Sequence, residues 1–251
     1  QPDEHGVAAD PGFRGGRAMT RLRKDNGPPQ PRPPTHFRSA TMLERCEETS
    51  GSSIPACNEA RFAALWNRTV IGGPASAKAV FARLARFYGE PHRHYHTLGH
   101  IWRCLEEFDR AVELMDNPDA VEMALWFHDA IYVSGAGDNE WRSADLFRQW
   151  SEGYADPVFG KRVGALIMVT THRESPTERD QRFIVDIDLS SFGLPWDEFE
   201  RDGRHIRAEC ADRTDEEYFP GHLRFLLALL NRPAIYFTDY FHRRYEQIAR
   251  A

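Results

Sequence analysis

From Asn58 onward, apolar residues recur at the three-to-four-residue spacing of amphipathic helices. Phe62, Leu65, Trp66 and Thr69 form a first stripe, and Val80, Phe81, Leu84, Phe87 and Tyr88 form a second that ends before Gly89 and Pro91. Ile101, Leu105, Phe108, Val112 and Met115 form a third. Asn117-Pro118 predicts a helix start, with proline in the first turn where its missing N–H costs nothing. That helix carries Val121, Ala124, Leu125 and His128. Gly135 to Gly137 reads as a turn, and Asp138 or Asn139 as the next N-cap. Further helices are predicted over 157–171, 177–186, 203–213, 217–230 and 234–249, with the aromatic stripe from Phe219 and Phe225 to Tyr236, Phe237, Tyr240 and Phe241 assigned to the core. Strand-like alternation is absent over any useful length, so the expected fold class is all-α, a helical bundle.

The pattern fails before residue 58. Seven prolines lie in the first 40 residues, five of them between Pro28 and Pro34, and apolar residues are sparse. Such a segment buries too little surface to offset its ordering entropy. Residues 1–57 are therefore expected to be a disordered Pro/Gly-rich tail, with Met42 as an alternative start. Residues 58–251 are expected to form one helical domain.

Net charge is −6, and residues 58–251 hold 24 Lys/Arg against 31 Asp/Glu. That balance argues against a basic face tracking a nucleic-acid backbone. It leaves room for a small phosphorylated substrate, because a bound metal supplies positive charge locally. No apolar run is long enough to span a bilayer, and no signal peptide is visible. The four cysteines, Cys46, Cys57, Cys104 and Cys210, include no Cys-x-x-Cys pair. Scattered thiols of this kind point to a reducing, cytoplasmic setting.

The chemistry lies in the histidines and aspartates. His96 and His100 flank a predicted helix start, His128-Asp129 closes the apolar run Ala124-Leu125-Trp126-Phe127, and His172 and Asp186-Ile187-Asp188 follow. A buried aspartate is costly unless it is paired or bound to a metal. Adjacent imidazole and carboxylate groups suit Mn, Mg, Co, Ni, Zn or Fe, but two neighbours cannot complete a site, so further donors must come from other helices. By itself the pair also fits a hydrogen-bonded core pair. Asp186 and Asp188 point about 200° apart on a helix, so only one of them can face a shared centre.

The order His, then His-Asp, then Asp, with the local runs Tyr95-His96-Thr97-Leu98-Gly99-His100, Phe127-His128-Asp129-Ala130-Ile131-Tyr132, Asp138-Asn139-Glu140 with Ser143-Ala144, and Asp186-Ile187-Asp188-Leu189, resembles the HD superfamily. The similarity is to a bacterial branch of predicted metal-dependent phosphohydrolases, and the stretch Leu229 to Tyr236 extends it. It spans roughly residues 58–251. The resemblance implies an HD-domain-like bundle holding one divalent metal ion on His100, His128, Asp129 and Asp188, with Asp186 competing for the last place and Asp129 also catalytic. His96 and His172 are expected beside the ligands.

The implied chemistry is attack of metal-bound hydroxide on a nucleotide or other small phosphate ester. Glu140 is the candidate for proton transfer, and Arg93, Arg142 and Arg173 are candidates for holding phosphate, since guanidinium clamps phosphate bidentately. Two other outcomes fit the same resemblance: a di-iron oxygenase, with His96 or His172 supplying extra ligands, or a non-catalytic nucleotide- or metal-binding module. Aromatic residues in the last helices would allow a homodimer. Phosphate-loop, Gly-x-Ser-x-Gly and His-Glu-x-x-His motifs are absent.

Overall fold

The computed structural model describes residues 54–251, which fall within one of two units of the chain, Ser39–Ala251. The expectation for the tail concerns residues 1–57 and lies almost wholly outside the described part. The first helix, α1 (Ile54–Thr69), nevertheless starts four residues inside that segment. Pro55 stands in its first turn, where a missing N–H costs no hydrogen bond.

Nine helices follow: α2 (Ala77–Tyr88), α3 (Leu98–Ala111), α4 (Pro118–Phe127), α5 (Asn139–Ser151), α6 (Pro157–Val169), α7 (Arg179–Asp188), α8 (Trp196–Ala208), α9 (Asp215–Leu230) and α10 (Asp239–Ala249). Short 3-10 turns follow α3 at Val112–Leu114 and α7 at Leu189–Gly193. Among the described residues there is no strand, only an isolated bridge between Val70 and Ala155. None of these helices is long and apolar enough to cross a membrane. The chain is all-α.

Helix α4 is the centre of the bundle. It packs against α1, α3, α5, α6 and α7, and every residue from Ala120 to Phe127 is buried. An all-round apolar helix has no solvent face to present, so it must be enclosed. Phe62, Trp66, Phe81, Trp126 and Phe127 form the aromatic heart of the core around it. Its one buried acid, Glu122, is paired with Arg61 at 2.7 Å. Because the core fixes α4, it also fixes what leaves its C-terminal end, His128 and Asp129.

Several boundaries differ from the pattern, each for a physical reason. The third stripe is not one helix: α3 stops at Ala111, and the 3-10 turn carries the chain to Met115. Asp138 caps α5 without a side-chain bond, while Asn139 makes two bonds to the backbone of Val133 and pins the loop instead. Helix α8 begins at Trp196, seven residues before the predicted 203, directly after Pro195 and with Asp197 and Glu198 favouring the N-terminal dipole. Helix α10 begins only at Asp239, because Asp186 takes the N–H groups of Phe237 and Thr238 and holds 234–238 out of a helix. Tyr236 and Phe241 are core residues, but Phe219 and Phe225 of α9 are exposed.

Candidate metal centre

Three helices deliver the site. The N-cap Thr97, which accepts from Gly99 N, sets the start of α3 and puts His100 in its first turn. His128 and Asp129 follow the last residue of α4, and Asp188 is the last residue of α7. Two helix C-termini therefore converge, and their partial negative charge favours a cation between them.

The ligand-type atoms meet closely. His100 Nε2 lies 3.3 Å from His128 Nε2, 3.2 Å from Asp188 Oδ1 and 3.5 Å from Asp129 Oδ2. His128 Nε2 lies 3.0 Å from Asp129 Oδ2 and 3.5 Å from Asp188 Oδ1. Ligand atoms about 2.1 Å from a shared ion stand about 3.0 Å apart at a right angle and about 3.4 Å apart at a tetrahedral angle. The five separations from the two histidines, 3.0–3.5 Å, are those of neighbouring ligands on such a polyhedron.

His128 Nδ1 donates to Leu125 O at 2.9 Å, so Nε2 is the ring nitrogen that faces the cluster, and a bound cation would displace the proton it carries. Burial works against the charged form of His128, but Asp129 and Asp188 outweigh it and raise its pKa well above the usual value. In His100 burial prevails, and the imidazole is held toward its neutral form. Burial alone would raise both carboxyls. For Asp129, His128 and then His96 pull the pKa well below the ordinary range. For Asp188, hydrogen bonds from His100, His128 and His172 do the same. Ionised carboxylates and at least one neutral imidazole are the forms a divalent cation needs, so the donor set fits the implied ion.

The surroundings hold these groups in place. His172 Nε2 donates to Asp188 Oδ2 at 2.9 Å and leaves Oδ1 directed at the two histidines. His172 is not at a helix end, since α6 stops at Val169. It sits in the loop at φ 54°, the only positive φ outside glycine among the described residues, and its Nδ1 is buried without a partner. Strain of this kind is retained where the surrounding fold imposes it. Cys104, one helical turn after His100, places its Sγ 3.7 Å from His100 Nε2, with its thiol pushed well up by burial.

Glu209, the residue after α8, fixes the loop before α3. Its Oε1 accepts the N–H groups of His94, Tyr95 and His96 at 2.8, 2.7 and 2.9 Å. Its Oε2 accepts from His96 Nδ1 at 2.6 Å. Burial opposes the charge of Glu209, but the bonds from His96 and the backbone lower its pKa to about 2.

The remaining candidates separate. Asp186 is fully buried and turned away from the centre, where it accepts from Phe237 N, Thr238 N and Thr238 Oγ1 at 2.7–2.8 Å. It stabilises the start of α10. Arg93 cannot hold phosphate, because its N–H groups are committed to Glu90 and to the carbonyls of His96, Asp129 and Ala130. It braces the backbone that carries Asp129. Arg142 is exposed on α5 and does not line the cavity over the centre, and Arg173 is exposed and donates to Gly137 O. Glu140 does line that cavity, as do His96, Asp129, His172 and Asp188.

The cavity has a volume of about 670 Å³, and α8 and α9 supply its outer wall. Sequence reasoning missed Glu209, Cys104 and this wall. The spacing of four from His100 to Cys104 was the one local signal for the thiol. Comparison of the chain with protein-family models, with curated proteins and with solved structures returns no match.

Proposed function

We propose that the protein is a metal-dependent phosphohydrolase that holds one divalent ion on His100, His128, Asp129 and Asp188 and cleaves a small phosphate ester. The observation that carries this reading is the approach of two imidazole Nε2 atoms to each other and to one oxygen each of Asp129 and Asp188, at separations of 3.0–3.5 Å, with both aspartates lining a cavity. The resemblance of the His, His-Asp and Asp runs to the HD superfamily supports the same assignment. The nitrogen-and-oxygen donor set suits Mn, Mg, Co, Ni, Zn or Fe.

A divalent ion bound there supplies Lewis acidity to a phosphoryl oxygen and to a water molecule. The chain's own residues do the rest. His172 orients Asp188, and the Nδ1 bond to Leu125 orients His128. Arg93 fixes the backbone at Asp129 and Ala130. Glu140, which lines the cavity, is the proposed carrier of the proton that the leaving oxygen needs. The two clusters of three potential ligands among the described residues both contain His100, which favours one centre over two.

The test is phosphate release from a panel of nucleotides and simple phosphate esters by protein loaded with Mn, Co, Ni or Mg. Metal-dependent release supports the proposal. Two irons per chain without release would replace it with oxygen chemistry, and a tightly held ion without any turnover would leave a binding module.

A further inference from the structure

We infer that the substrate carries a single phosphate on a bulky apolar body, preferably aromatic, and is not a nucleoside polyphosphate; this rests on the phosphohydrolase reading of the same site. The first observation is a ring-to-ring path leading away from the centre. His172, bonded to Asp188, stands 6.2 Å from the Phe225 ring. Phe225 stands 6.5 Å from Phe192, Phe192 stands 5.5 Å from Phe199, and Phe199 stands 5.8 Å from Trp196. All these rings line the cavity. Helix α9 adds Phe219 and Leu226, seven residues apart on one face, to the lining.

Phe219 and Phe225 are 51% and 38% exposed, and Trp196 is 73% exposed, so much of this aromatic surface is left uncovered by protein. A wall of that kind beside polar catalytic groups is the usual construction of a site for a small organic ligand, and about 670 Å³ suits one.

The second observation is charge. Five carboxylates line the cavity, those of Asp129, Glu140, Asp188, Glu200 and Asp202, and no lysine does. The two lining arginines are engaged. Arg207 is bonded to Asp215 and to the carbonyls of Cys210 and Arg213, and Arg204 pairs with Glu200. Apart from His96, held by Glu209, and the exposed Arg204, the lining offers no free cation, against five carboxylates, so it is poorly built for the α- and β-phosphates of a polyphosphate, which such sites ordinarily clamp with Arg or Lys. One phosphoryl group at the ion and an uncharged body along the rings satisfy both observations.

The reaction is hydrolysis. A water oxygen bonds to phosphorus, the bond from phosphorus to the ester oxygen breaks, and a proton ends on that oxygen. The products are inorganic phosphate and an apolar alcohol.

Three monoesters with alcohol leaving groups, 2-(1-naphthyl)ethyl phosphate, ethyl phosphate and AMP, test this on the metal-loaded full chain, beside ATP, whose better phosphate leaving group favours it chemically. Binding of the non-hydrolysable naphthylmethylphosphonate and methylphosphonate is measured beside them by calorimetry. The expected result is a preference of about tenfold or more for the naphthyl ester over ethyl phosphate, in line with the worth of added apolar contact in a pocket, and the same order for the phosphonates. Phe225→Ala and Phe199→Ala are expected to reduce both preferences several-fold with metal content and circular dichroism unchanged. A preference for ATP or AMP, or equal handling of naphthyl and ethyl esters, overturns the inference while leaving the hydrolase reading intact. If no ester is cleaved, the phosphonates decide: a tenfold naphthyl preference lost in the variants sustains the apolar pocket and sinks the hydrolase, and equal affinity sinks the inference.

Discussion

Glu209 offers a sharp test of how the site loop is held. Its side chain is fully buried and accepts three backbone N–H groups and His96 Nδ1. In Glu209→Gln one oxygen remains to accept, and the new amide donor faces other donors. The lowering of the Glu209 pKa from 4.5 to about 2 corresponds to about 2–3 kcal/mol of stability at neutral pH, with allowance for solvent screening at the loop. That is the size of about one net hydrogen bond to a charged acceptor, at about 1.5–3 kcal/mol, because Gln still accepts some of the four and the loop rewets.

The sign of the pH dependence follows. The folded pKa lies below the unfolded one, so the stabilisation is complete above about pH 4.5 and fades as pH falls toward 2, leaving about 1 kcal/mol near pH 3. Urea unfolding of parent and Glu209→Gln, at pH 7 and again at the lowest pH where both still fold, measures it. The gap should be about 2–3 kcal/mol at pH 7 and should narrow in acid. Equal midpoints at pH 7, or a gap that does not narrow, would refute the reasoning.

Other residues give separable outcomes. Asp186→Asn should cost about 1–3 kcal/mol in urea unfolding, by leaving donors at Phe237 and Thr238 poorly paired, yet keep the metal stoichiometry of the parent; loss of metal would put Asp186 among the ligands. Glu140→Gln should retain the metal and lose about 100-fold or more in kcat, so a parental rate would remove Glu140 from proton transfer. Arg93→Gln should strip donors from the carbonyls of Asp129 and Ala130 and weaken metal binding about 10- to 100-fold in a chelator competition; unchanged affinity would make Arg93 irrelevant to the centre.

What was legible in the sequence is what local pattern encodes. The apolar run before His128-Asp129 identified an enclosed helix ending in polar groups, and α4 is that helix. The two-residue offset of Asp186 and Asp188 required them to face different ways. They do, one toward Phe237 and Thr238 and the other toward His100 and His128. The role of Arg93 was not legible, because a guanidinium has the same chemistry whether it meets a phosphate or a ring of carbonyls. Only the fold decides, and for Arg93 it chose carbonyls. Glu209 was invisible for another reason: its partners lie more than a hundred residues away, and no periodicity links them. The late start of α10 is likewise a tertiary effect, since Asp186 claims backbone donors that a helix would otherwise use.

The most direct test of the central claim is elemental analysis of the purified chain beside His128→Ala and Asp129→Ala, each reconstituted with Mn, Co, Ni, Zn, Mg or Fe and freed of loose metal. One ion per chain is expected in the parent and none retained in either variant, with both variants still folded by circular dichroism. Full occupancy in the variants, or no ion in the reconstituted parent, would contradict that claim and leave His128-Asp129 as a core pair.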